Sequence, residues 1–252
     1  MTDQDSLFTP LVDSLPATVP FVGPETIERR RGRTFKARIG ANESAFGISP
    51  KAVAAMTDAI SKVSWYADPE GFDLKHAIAA RHNVSFDEIC LGAGVDELLG
   101  LITRIVVDHS TPVVTSLGAY PTFNYHVAGY GGVLHTVPYR NDHIDLEAVV
   151  AAAHDTQARL VYLANPDNPM GTWHDATAVN EFVAALPANC VIILDEAYIE
   201  FAPHGTGTTV GTDDPRVVHM RTFSKAHGMA GARVGYAIAP VPVIQSLNKV
   251  RN

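Results

Sequence analysis

Hydrophobic positions along this chain change period several times, and the changes divide it into elements. Residues 50–62 carry apolar side chains at helical spacing, and residues 73–82 do so again, which predicts two amphipathic helices. From Glu88 onward, short β-branched runs alternate with helical stretches. The runs predict strands at Ile89–Leu91, Pro112–Thr115, Val133–Val137, Arg159–Ala164, Cys190–Leu194, Val217–Met220 and Gly235–Ala239, with helices over 96–107, 121–129, 145–154 and 175–185 between most of them. Val191-Ile192-Ile193-Leu194 is apolar at every position, the mark of a strand covered on both faces. The pattern therefore predicts an α/β fold of three layers, with a mostly parallel sheet between helices. Residues 1 to about 40, rich in Pro, Thr and charge, read as an irregular arm with one short helix, and Gly205-Thr206-Gly207-Thr208-Thr209 as a flexible loop. There is no internal repeat and no low-complexity tract.

Composition narrows the classes of function. The chain has 252 residues, 46% hydrophobic and 18% charged, as expected of a soluble globular protein with room for one large α/β domain or two smaller ones. A formal net charge of −8 argues against a nucleic-acid partner, and Arg29-Arg30-Arg31-Gly32-Arg33 is read as a solvated surface run. An anionic ligand would then need a local positive site. Cys90 and Cys190 each adjoin an apolar run, which predicts buried thiols in a reducing compartment; they form no metal-type pair, and no metal is expected. The first residues, Met1-Thr2-Asp3-Gln4-Asp5-Ser6, lack the basic and apolar regions of a signal peptide, and no apolar stretch is long enough to span a bilayer. The default is a cytoplasmic protein without a membrane partner.

Ligands of a parallel sheet sit at the carboxyl ends of its strands, so the residues that follow each strand carry the chemistry. Five such loops are expected on one rim: Gly92-Ala93-Gly94-Val95-Asp96, Leu117-Gly118-Ala119-Tyr120, Asn165-Pro166-Asp167-Asn168-Pro169, Asp195-Glu196-Ala197-Tyr198 and Arg221-Thr222-Phe223-Ser224-Lys225. A loop lysine is usually a solvated charge, but a partly desolvated one loses its proton and condenses with aldehydes. Thr222 and Ser224 beside Lys225, with Arg233 further on, are suited to a phosphate dianion; a surface ion pair is the ordinary alternative for Arg233. Gly94, Val95 and Asp96 open a helix, where exposed N–H groups bind phosphate, although a plain strand-to-helix turn reads the same way. The glycine pattern is not that of a dinucleotide site, because Glu97 stands where the third glycine belongs. Asp195 ends a fully apolar strand and needs a cationic partner such as a pyridinium N–H, with Glu196 as the competing candidate. Tyr198 and Asn168 are placed to hydrogen-bond a phenolic oxygen on such a ring, and Tyr120 to stack on it; core tyrosine and turn asparagine are the commoner readings of each alone.

The segment Thr222-Phe223-Ser224-Lys225-Ala226-His227-Gly228-Met229-Ala230-Gly231-Ala232-Arg233-Val234-Gly235-Tyr236 resembles the lysine motif of the fold-type I, class I/II aminotransferases. The histidinol-phosphate aminotransferase branch is the nearest in pattern. Asp195-Glu196-Ala197-Tyr198-Ile199-Glu200-Phe201 is similar to its aspartate motif, and Asn165-Pro166-Asp167-Asn168-Pro169-Met170-Gly171 to its Asn-Pro-Asn-Asn-Pro-Thr-Gly segment. Ala41-Asn42-Glu43 and Trp65-Tyr66-Ala67-Asp68-Pro69 also match, so the resemblance covers roughly residues 38–252. It implies pyridoxal 5′-phosphate as cofactor and amino-group transfer from an amino acid or amino-phosphate donor to a 2-oxo acid. It implies that Lys225 bonds the cofactor aldehyde and moves a proton, and that Asp195 pairs with the pyridine nitrogen. Asn168 and Tyr198 would bind the phenolic oxygen and Tyr120 would stack on the ring. Gly94, Val95 through its backbone N–H, Thr222, Ser224 and Arg233 would bind the phosphate, with Asp96 also among the cofactor-binding residues. Tyr66 would reach the phosphate of a neighbouring subunit, which implies a homodimer.

There are departures from the family pattern. Val95 stands where a hydroxyl residue is common, Met170 replaces a threonine and His227 a phenylalanine. The resemblance implies an N-terminal arm with part of a small domain over 1–45, a cofactor-binding large domain over 46–240, and at 241–252 the start of an interdomain helix leading to a small domain that the chain lacks. In the family that domain normally supplies the arginine for the substrate carboxylate, so the expectation is either a fragment of a longer protein or a natural truncation with impaired catalysis. A decarboxylase or lyase on the same cofactor, or an inactive cofactor-binding module, are the alternatives.

Overall fold

The computed structural model describes residues 6–17 and 21–251. The amino-terminal residues on which the leader reading rests lie, except Ser6, outside them. Seven strands form one sheet: β1 (Ile89–Gly92), β2 (Pro112–Ser116), β3 (Val133–Val137), β4 (Leu160–Ala164), β5 (Val191–Asp195), β6 (Val217–Thr222) and β7 (Gly235–Ile238). Their order across the sheet is β1-β7-β6-β5-β4-β2-β3. Only β7 is antiparallel to its neighbours β1 and β6; the remaining pairings are parallel.

Nine α-helices accompany the sheet among the described residues: α1 (Pro10–Ser14), α2 (Pro24–Arg31), α3 (Pro50–Ala59), α4 (Phe72–His82), α5 (Val95–Val106), α6 (Pro121–Gly129), α7 (Leu146–Asp155), α8 (Ala176–Ala185) and α9 (Val241–Val250). None is long and apolar enough to cross a membrane. The starts follow local chemistry. Asp145 and Asp175 accept the Ala148 and Ala178 N–H groups as N-caps of α7 and α8, and Pro121 occupies the first turn of α6, where its missing N–H costs nothing.

Period two on the strands sends alternate side chains to opposite layers. Leu160, Tyr162 and Ile193 pack with Leu98, Leu99 and Ile102 of α5, Phe123 and Val127 of α6, and Leu247 of α9. Val161, Leu163, Ile192 and Leu194 face the other way, onto Val149 and Ala153 of α7 and Val179, Phe182 and Val183 of α8. Ile78 of α4 covers Ile89, Tyr236 and Ile238 at the β1–β7 end. Most of these side chains are essentially inaccessible, and each such Leu, Ile or Phe contributes roughly 1.5–3 kcal/mol by leaving water. This is the three-layer α/β fold with a mostly parallel sheet that the pattern predicts, and both cysteines are buried and free.

Three details differ. The predicted 50–62 helix ends at Ala59 and finishes as a 3-10 turn over Ile60–Lys62. β6 runs two residues past Met220, because Arg221 and Thr222 continue the pairing with β7, opposite Tyr236 and Gly235. The 205–209 segment is tied down. Thr206 is buried with its hydroxyl on the Pro203 carbonyl, the Gly205 carbonyl accepts the Ala176 N–H, and the Thr208 hydroxyl donates to Asn180 of α8. Glycine content alone suggested flexibility there; the hydroxyls between the glycines supply the anchors.

Candidate active site

The carboxyl ends of the parallel strands and the start of α5 surround a cavity of about 540 Å³. Each of the five predicted rim loops contributes to its wall, through Val95 and Asp96, Tyr120, Asn168, Asp195 with Tyr198, and Thr222 with Ser224 and Lys225. Arg233 lines it as well. Lys225 follows β6 and is half-buried. Its Nζ donates to the Ala41 carbonyl at 2.9 Å and lies 5.6 Å from the centroid of the Tyr198 ring.

Asp195 is the last residue of β5 and is 5% exposed. Its Oδ2 accepts the Tyr162 hydroxyl at 2.7 Å and its Oδ1 the Ala197 N–H at 3.0 Å. Burial pushes the carboxyl from its ordinary 3.8 up to about 6, against the opposing pull of those two donors. No cation pairs with it among the described residues. Glu196, the next residue, points to the other face, as alternation along a strand requires. There Arg221 Nε donates to its Oε2 at 2.9 Å and His219 lies 3.5 Å from its Oε1. Burial raises the Glu196 carboxyl, but His219 and Arg221 outweigh it and leave the group below its ordinary value. Of two adjacent buried acids, one is neutralised within the fold and the other faces the cavity without a positive partner.

At the opposite end, Gly94 is the N-cap of α5 with φ 84°, a backbone that glycine adopts without strain, and a Cβ there would overlap the Arg233 guanidinium. Arg233 is itself left-handed, with φ 52°. Its Nη2 donates to Asp96 Oδ2 at 3.2 Å and to the Ala93 carbonyl at 3.3 Å. Asp96 also accepts the Tyr120 hydroxyl at 2.9 Å, so one carboxylate ties the arginine to the tyrosine. Thr222 and Ser224 are buried, and the Thr222 hydroxyl donates to Ser224 Oγ at 2.9 Å. On the far side the Tyr198 hydroxyl accepts Asn42 Nδ2 at 3.0 Å and Asn168 Nδ2 at 3.4 Å.

These positions fit pyridoxal phosphate. A buried carboxyl without a cation suits a protonated ring nitrogen. A glycine N-cap, two hydroxyls and an arginine suit a phosphate. A lysine amine stands on the same cavity wall. Tyr66 is apart from the rest: it is fully exposed and does not line the cavity of its own chain. Residue-by-residue reasoning missed Tyr162, although its place beside Leu160 and Ala164 on one face of β4 was readable from alternation. It also left Ala41 and Asn42 without a role; they bond Lys225 and Tyr198 from 184 and 156 residues away.

The layer order, the single antiparallel strand and a cavity of this make-up define the class, that of fold-type I pyridoxal-phosphate-dependent transferases. The family model for aminotransferase class I and II matches residues 36–252, and the chain belongs to that family. Family members work with pyridoxal phosphate. A crystal structure of histidinol-phosphate aminotransferase from Sinorhizobium meliloti in complex with pyridoxal-5′-phosphate superposes with a TM-score of 0.94 at 51% identity, covering 100% of this chain and 68% of that one. Histidinol-phosphate aminotransferase 2 of Carboxydothermus hydrogenoformans is 36% identical over 244 residues, 95% of this chain and 67% of the relative. Histidinol-phosphate aminotransferase of an Anaeromyxobacter species is 37% identical over 249 residues, 97% and 68% respectively. The chain thus spans about two thirds of the length of these relatives.

Proposed function

We propose that the protein transfers an amino group from histidinol phosphate, or a closely similar amino-phosphate, to a 2-oxo acid, with pyridoxal phosphate held in the cavity at the strand ends. The observation that carries this reading is the opening of Lys225 and the cation-free Asp195 into one cavity. The names of the relatives support the donor. Pyridoxal phosphate supplies an aldehyde that bonds amines and a ring that draws electrons from the substrate carbon next to nitrogen.

The chain's own groups do the rest. Lys225 Nζ would hold the aldehyde, and the same amine would be the base that takes a proton from the substrate Cα and returns it. Asp195 would hold a proton on the ring nitrogen, Asn168 and Tyr198 would orient the phenolic oxygen, and Tyr120 would stack on the ring. Gly94 and Val95, through backbone N–H groups, with Thr222, Ser224 and Arg233, would hold the phosphate, and the Asp96 carboxylate steers the arginine. Arg38, Gly40, Ala41, Asn42 and Glu43 of the arm also line the cavity.

The same reading includes a second copy of the chain. Ile60, Val63, Trp65 and Tyr66 expose large apolar side chains in one short stretch, the kind of surface that oligomer contacts cover. Tyr66 would then serve the phosphate site of the partner. Sedimentation of wild type and Trp65→Asp measures this, and a wild-type monomer at assay concentration refutes it.

Mixing the protein with pyridoxal phosphate is expected to give a visible absorbance band that Lys225→Ala lacks. Histidinol phosphate should then bleach the band, and 2-oxoglutarate should restore it. A band unchanged in Lys225→Ala refutes the site, and a band indifferent to histidinol phosphate refutes the donor.

A further inference from the structure

Tyr162 lies in the middle of β4, 2% exposed, and its ring stacks on Phe123 of α6 with centroids 4.7 Å and planes 17° apart. In the parallel register Tyr162 stands beside Ile193, and Ala164 beside Asp195. The tyrosine side chain therefore leans along the sheet to reach a carboxylate on the next strand, two residues further on. Its hydroxyl meets Asp195 Oδ2 at 2.7 Å, within the range for an O–H donor on a carboxylate. Phe123 lies flat against the ring and positions the hydroxyl oxygen beside the carboxylate. Burial holds the phenol's own ionisation well above the ordinary value of 10, so it remains a donor across the working range of pH.

We propose that Tyr162 is a positioning residue for the amino-transfer reaction, holding the Asp195 carboxylate charged and turned into the cavity so that it can keep a cofactor's ring nitrogen protonated. This rests on the reading of Asp195 given above. Two donors reach the carboxylate: the Ala197 N–H, from its own loop, and the Tyr162 hydroxyl, from the neighbouring strand. Against them stands burial, which favours the neutral acid. Without the phenol one donor remains, and the carboxyl keeps its proton to higher pH. A neutral carboxylic acid cannot supply the negative charge that a pyridinium needs. Tyr162 lines the same cavity as Asp195, and in this scheme it acts through that carboxylate.

The test uses Tyr162→Phe, which keeps the stacked ring and removes only the oxygen. Infrared difference spectra of cofactor-free protein, with Asp195→Asn to assign the band, give the pH at which Asp195 ionises. In Tyr162→Phe that pH is expected to rise by one unit or more, since a hydrogen bond to a charged group is worth roughly ten- to a hundred-fold. Affinity for pyridoxal phosphate is expected to fall roughly ten-fold at pH 7, with the gap closing toward pH 9, where the carboxyl is ionised in both proteins. A packing role would lower stability and leave both profiles in place. An unmoved carboxyl titration, or an affinity gap that is the same at pH 7 and pH 9, overturns the proposal. Should Tyr162→Phe fail to fold, a fluorotyrosine at 162 keeps the shape and donates more strongly, and the titration must then move down. Wild-type protein that takes up no pyridoxal phosphate overturns the reading of the site as well, whereas the cofactor-free titration judges the contact of Tyr162 with Asp195 by itself.

Discussion

Replacing Asp195 with asparagine should stabilise the cofactor-free protein at neutral pH, even though it removes a group central to the site. In the unfolded chain this carboxyl ionises near 3.8, and in the fold burial lifts it to about 6. Between those values the folded state keeps a proton that the unfolded state has released, so raising the pH favours unfolding. The stabilising contribution is complete below about pH 4 and is lost as pH rises through about 6. A separation of about two units corresponds to about 3 kcal/mol at pH 8. Asparagine has nearly the same shape and never carries the charge. Its oxygen can accept the Ala197 N–H and its amide can donate to the Tyr162 oxygen, so both contacts survive with one reversed in sense. Urea unfolding of both cofactor-free proteins from pH 4.5 to 8 makes the measurement. The variant should be the more stable by about 3 kcal/mol at pH 8, or about 6–12 °C in Tm, and the gap should narrow toward pH 4.5. A gap independent of pH, or a wild type more stable at pH 8, would refute the claim that Asp195 is an unpaired buried acid.

Three other changes examine the frame around it. Gly94→Ala combines a disfavoured φ with overlap on Arg233, and should cost about 1 kcal/mol or more by thermal melting and weaken pyridoxal phosphate binding in a titration. Glu196→Gln leaves Arg221 with only Glu200, at 3.7 Å, and should cost roughly 3 kcal/mol at pH 7 in urea unfolding. That loss should shrink in acid, because Glu196 is held below its ordinary value and its contribution disappears as pH falls through the folded-state value. Leu247→Ala, at a fully buried position on α9, should cost roughly 2–5 kcal/mol in the same assay; a change within error would mean that α9 is not part of this core.

The frame was legible because its signals are periodic. Seven strands and the four helices between them could be placed to within a residue or two, since an apolar strand buried on both faces and an amphipathic helix leave different spacings. The rim residues were legible for a related reason: a parallel sheet delivers whatever follows each strand to one edge, so Asp195, Asn168 and Lys225 could be grouped without knowing a distance. Contacts that cross the sheet, or that return from the arm, were not legible. Nothing about Tyr162 in sequence distinguishes a core aromatic from a donor to Asp195; only the β4–β5 register does. Asn42 and Ala41 precede the regular part of the chain, and no periodicity connects them with Tyr198 or Lys225. The polar end of β6 was missed because the residues that pair with it, Tyr236 and Gly235, come later in the chain, on β7.

The alternation that separates Asp195 from Glu196 also explains how a negative chain holds two adjacent acids inside. Along β5 one side chain goes to each layer. Glu196 meets His219 and Arg221, which occupy alternate positions of β6 on that same face, and its charge is balanced within the sheet. Asp195 faces the layer of α5 and α6, where Tyr162 and the Ala197 N–H donate to it and, among the described residues, no cation pairs with it. Sliding β6 by one residue would exchange these environments: the arginine would neutralise the acid at the cavity, and the other layer would hold an uncompensated carboxyl. The site therefore depends on register as much as on residue type, and β6 sets both, by placing Arg221 beneath the sheet and Lys225 above its carboxyl edge.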